Sequence, residues 1–111
     1  MEKVEKHDTA HFHLQLLSKL IDMRQYPFIK LVIKHNITQE EYRELLGQLH
    51  RLNEQYAMQK EEGFLDFSSL LVQFAGMLIE KLDPTKTIFA LKKEGYFPSL
   101  MDEFIKIMND Q

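Results

Sequence analysis

The sequence predicts an all-α protein: a compact array of about six helices, paired with a second copy through its most apolar helix. Three observations lead there. Apolar residues recur at steps of three and four along most of the chain. Start and stop signals for helices punctuate it at Thr38–Glu41, Gly63, Asp83–Pro84, Gly95 and Pro98. The run most suited to a strand, within Phe28–Asn36, has no nearby stretch to pair with.

Taken in order, Met1–His7 is polar and expected to fray. Asp8 or Thr9 can cap a first helix reaching about Arg24. Its apolar side is Phe12, Leu14, Leu16, Leu17, Leu20, Ile21 and Met23, and its polar side His11, Gln15, Ser18, Lys19 and Asp22. Tyr26-Pro27 breaks that helix and opens a short one ending near Asn36, because proline is favoured in a first helical turn. Thr38 and Glu41 form a capping box, in which each side chain satisfies the other residue's backbone N–H. The helix they open should run to about Glu62 and stop at Gly63. Along it Tyr42, Leu45, Leu49, Leu52 and Tyr56 make a narrow seam, which suits a long helix lying across one neighbour.

Phe64–Leu82 is the most apolar stretch. Read as one helix capped by Asp66, it leaves only Ser69, Gln73, Gly76 and Glu80 as a polar strip. Such a helix needs cover on several sides, so a second copy is expected against it. Gly76, at about 1 kcal/mol less favourable than alanine in a helix, suggests a close crossing there. Asp83-Pro84 then opens a helix that ends with Lys92 and Lys93 at its negative pole and Gly95 as its stop. Pro98 opens the last, with Leu100, Met101, Phe104, Ile105, Ile107 and Met108 on one side.

The 111 residues fit one domain, 1–111. The hydrophobic share of 44% is enough for a core, which argues against disorder. A net charge of −3 argues against a general binder of nucleic acid or anionic membrane. Without cysteine there is no disulfide framework and no thiolate chemistry, as suits a reducing compartment. The N-terminus lacks the apolar core of a secretory signal, and the longest uncharged run, Phe67–Ile79, is short of the roughly 20 residues that span a bilayer. A cytoplasmic protein with no membrane partner is expected.

Three segments together, KEEGFLDFSSLL, the Phe-Ala-Gly-Met of the apolar stretch and KLDPTKTIFALKKEGYFPSLMDEF, resemble the YhaI-like family of small uncharacterised proteins from Bacillus and relatives. The resemblance covers nearly the whole chain and is most specific from Lys60 to Phe104. It implies a compact multi-helical protein, dimeric and cytoplasmic in a Gram-positive bacterium. It carries over no catalytic or ligand residue.

Residue by residue, chemistry is sparse. His7 and His11 can share a helix face, but a zinc site needs three or four ligands in fixed geometry, so the pair is expected to be solvated. His13 lies among apolar neighbours and is expected to be buried with one hydrogen-bond partner. No nucleophile elbow and no phosphate-binding glycine loop is present. No catalytic residue, cofactor or metal is therefore expected. Met58, Met77, Met101 and Met108 can line an adaptable surface. The reading that follows is a non-enzymatic protein that self-associates and serves as a protein-interaction module. Its expected interface is Phe67, Leu71, Phe74 and Leu78 of the apolar helix with Tyr42, Leu49 and Tyr56 of the seam. The alternative is a DNA-binding regulator using a helix-turn-helix outline over 28–49, although Glu40, Glu41 and Glu44 would meet phosphates there.

Overall fold

A computed structural model describes residues 2–110, with side chains from Asp8 onward apart from Met23. Six α-helices follow one another: α1 (Glu2–Leu20), α2 (Pro27–Lys34), α3 (Gln39–Glu61), α4 (Ser68–Met77), α5 (Pro84–Glu94) and α6 (Pro98–Asn109). A 3₁₀ turn at Met23–Gln25 separates α1 from α2, and no strand occurs among the described residues. The all-α class is as predicted. Residues 2–7, expected to fray, are described by their backbone alone, which forms the first turns of α1.

Local signals set most helix ends. Thr38 Oγ1 accepts from the Glu41 N–H at 3.1 Å while Glu41 Oε1 accepts from the Thr38 N–H at 2.9 Å, which completes the capping box. Asp83 caps α5 by accepting from the Lys86 N–H at 2.9 Å, with Pro84 in the first turn. Beyond α3 and α5, Gly63 (φ 91°) and Gly95 (φ 90°) take the left-handed conformation. There Phe64 N–H reaches the Gln59 carbonyl and Tyr96 N–H the Leu91 carbonyl, closing the last turns. Asn36 (φ 54°) does the same for α2.

The core lies among α2 to α6. Helix α5 packs on α2 and α6, and α4 packs on α3 and α6. Leu45, Leu49, Leu52 and Tyr56 turn the predicted seam of α3 inward, with Tyr42 half-buried at its start. Aromatic pairs key the layers together: Tyr56 on Phe67 with centroids 4.9 Å apart, Phe74 on Phe104 at 5.7 Å, and Phe28 edge-on to Tyr96 at 5.3 Å.

Two elements depart from expectation. Residues 64–82 are not one helix, since α4 covers only Ser68–Met77. Asp66 binds the Ser68 N–H and hydroxyl in the turn before it, and Phe67 occupies the cap position. After Met77 the backbone extends at Leu78 (ψ 134°), and this lets Leu78 and Leu82 drop into the core. Among the described residues no helix crosses at Gly76 either: a Cβ built there meets nothing within 4 Å.

The other departure is α1. It starts at Glu2, running through the predicted caps Asp8 and Thr9, and ends at Leu20, short of Arg24. Every residue from Asp8 to Asp22 is exposed. The molecule measures 60 × 25 × 23 Å with a Cα radius of gyration of 17.0 Å. A compact chain of this length would have a radius near 13 Å. The excess is α1, a rod of about 28 Å that stands off the body.

Candidate functional site

Two surfaces are unusual for a small folded chain. The first is α1. Phe12, Leu14, Leu16, Leu17 and Leu20 fall within a single arc of its circumference, Ile21 follows directly after its end, and each of the six is between 41% and 81% exposed. At about 200 Å² for a large side chain in full exposure, these six present on the order of 600 Å² of apolar surface. That is the upper end for the largest patch on a soluble monomer. His13 stands in the same arc, exposed, with its ring 5.9 Å from that of Phe12. The expected burial of His13 is thus corrected, because every residue of α1 from Asp8 onward is exposed and no part of the body covers that face. His11 is also exposed, its Nε2 lying 3.3 Å from Gln15 Nε2. The side chain of His7 lies outside the described residues.

The second surface is a groove of about 430 Å³ between α2 and α5. Pro27, Leu31, Phe89 and Ala90 form its floor. Lys30 and Lys34 rise from α2 on one side, Lys86 and Lys93 from α5 on the other, and no acidic residue lines it. Among the described residues none of these four lysines lies within ion-pair distance of a carboxylate; the pairs are Arg24–Asp22, Lys81–Glu41 and Lys92–Asp102. Phe89 remains 47% exposed.

The residues predicted for an interface are placed elsewhere. Phe67, Phe74, Leu49, Tyr56 and Leu78 belong to the core of a single copy, while Leu71 and Tyr42 are half-buried against it. Their own chain covers them, since the break after Met77 folds the apolar stretch onto α3 and α6. Of the four methionines, Met101 is fully buried, Met58 is exposed, and Met77 and Met108 are half-buried, so they share no surface.

The helix-turn-helix outline corresponds to α2, the turn after it and the first half of α3. At the N-terminal end of α3, Glu41 is held by Thr38 and, at 2.8 Å, by Lys81 Nζ. The Lys81 hydrogen bond, followed by the Thr38 N–H, keeps its carboxyl below the usual range. A carboxylate held ionised there occupies the place where a DNA-reading helix would meet phosphate.

Sequence reading missed the groove, because its two lysine rows come from helices far apart in the chain. The available signal was spacing: Lys30 and Lys34 are four apart, and Lys86, Phe89, Ala90 and Lys93 share one helical face. No group of three or more metal-ligating side chains occurs among the described residues, and no described helix is long and apolar enough to cross a membrane.

Fold and surfaces together define a small all-α protein whose described residues include a first helix with an uncovered apolar arc and a lysine-rimmed groove. The profile of a family described as protein of unknown function (DUF1878) matches residues 1–109, and the chain belongs to that family.

Proposed function

We propose that this chain is a non-enzymatic, cytoplasmic interaction protein that forms a homodimer through α1. In keeping with the YhaI-like sequence pattern, we place it in Bacillus or a relative. One observation carries the reading: the apolar arc of α1 finds no cover on its own body. A standard interface buries about 800 Å² per partner. The arc provides most of that area, and the polar residues along its border supply the remainder. A symmetric pair brings the same surface from both copies, so a single helix face serves both sides of the contact.

Sedimentation velocity at micromolar concentration tests this. The native chain should sediment as a dimer. Leu17→Glu with Leu20→Glu should give a monomer with an unchanged fold from α2 onward, because neither side chain supports the body. A native chain that remains monomeric rejects the reading.

A further inference from the structure

The groove between α2 and α5 carries a separate inference, since none of its lining residues belongs to α1. Lysines normally face open solvent or pair with acids on a neighbouring turn. Here four of them border an apolar floor on both sides, in a chain whose net charge is −3. The cations are therefore concentrated against the overall balance. Ligands that suit the site must be apolar along a central line and negative on both flanks.

We propose that this groove docks an acidic amphipathic helix of another protein. Its apolar stripe would cover Leu31, Phe89 and Ala90, and carboxylates beside that stripe would pair with Lys30, Lys34, Lys86 and Lys93. Two observations select a helix. Both walls are helices, so no strand edge is available for an extended peptide to join, whereas the furrow between two packed helices accepts side chains at i, i+3, i+4 and i+7 of a third. The lysine rows also extend over about two helical turns, from Lys86 to Lys93 on α5, which matches the repeat of such a stripe. A nucleic-acid backbone would satisfy the lysines but leave Phe89 and Leu31 wet. A second copy is a poor occupant: the polar side of α1 carries only Asp8 and Asp22 as acids, beside Lys19, where the groove calls for carboxylates along both flanks of an apolar stripe.

The test is a titration of the ¹⁵N-labelled full chain, followed by amide shifts. The probe is a designed helix with leucines at i, i+3, i+4 and i+7 flanked by glutamates; the control has the same leucines flanked by lysines. The expected result is micromolar binding of the acidic probe, with shifts centred on Lys30–Lys34 and Lys86–Lys93 and weakening in salt. Lys86→Glu with Lys93→Glu should reduce affinity by at least about tenfold, and so should Phe89→Asp. Both variants alter exposed positions, so circular dichroism should match the native chain. Leu17→Glu with Leu20→Glu should leave probe binding unchanged, which separates this site from dimerisation. The inference is overturned if the two probes bind alike, if neither shifts the groove at millimolar concentration, or if charge reversal has no effect. Random duplex DNA, or a fatty-acid carboxylate, that displaces the acidic probe from the groove at lower concentration than unlabelled probe does would overturn it too.

Discussion

Glu94 joins two helices that are distant in sequence. Its Oε1 accepts from the Phe28 N–H at 3.0 Å and from the Ile29 N–H at 3.3 Å, capping α2 from the last residue of α5. A carboxylate at the negative end of one helix is unfavourable alone, and the positive end of α2 offsets it. Tyr96 lies beside this contact. Burial first, then neighbouring Tyr42 and the charge of Glu94, push its hydroxyl up to about 12. The sign follows directly. An unfolded tyrosine loses its proton near pH 10, so the stability this group contributes is complete below that pH and is lost between about 10 and 12. Absorbance titration should show one of the four tyrosines ionising late, and Tyr96→Phe should flatten the loss of stability in urea melts between those pH values. An unchanged alkaline limb in Tyr96→Phe would mean that the hydroxyl is not linked to folding. None of this was legible in the sequence, because Phe28 and Glu94 are 66 residues apart and meet only when α5 packs on α2. By contrast Thr38 and Glu41 were legible, because a capping box is complete within four residues.

Among the elements, legibility follows the same division. Helices α2, α3 and α5 are bounded by proline, glycine and capping residues that act on the nearest turn, so their limits were readable to within a residue or two, and Pro98 marked the start of α6 in the same way. Helix α4 lacks such a stop. Its chain leaves the helix at Leu78 because Leu78 and Leu82 are wanted in the core, a demand that arises only when α3 and α6 are in place. Reading 64–82 as one helix consequently overstated its apolar surface and directed the expected interface to residues already buried. Gly76 allows a direct check. It is helical, its φ is not positive, and added bulk meets open space. Gly76→Ala should therefore stabilise the fold by about 0.5–1 kcal/mol, read as a higher urea midpoint with an unchanged slope. Destabilisation would instead reveal a partner crossing at that point, as the sequence suggested.

For the whole molecule the decisive fact is that α1, from Asp8 to Leu20, is exposed along its length and finds no cover on the body. Its periodicity was legible, but amphipathicity alone does not say whether the apolar face meets its own chain or another. In proteins most helical stability comes from packing an amphipathic face rather than from intrinsic propensity, because nucleation is costly and propagation adds little per residue. Helix α1, with 19 residues, should therefore be stable only where its arc is covered. If a second copy covers it, helicity becomes a function of protein concentration through mass action. Hydrogen exchange should find the α1 amides protected at high micromolar concentration and exchanging freely at nanomolar, while amides of α3 and α5 remain protected throughout. Circular dichroism should fall over the same range by roughly a fifth, the share of helical residues that α1 holds. In Leu17→Glu with Leu20→Glu, α1 should exchange freely at every concentration. Protection of native α1 that does not vary with concentration, in a chain sedimenting as a monomer, would mean that the helix stands by its own propensity and that its apolar arc awaits a different partner.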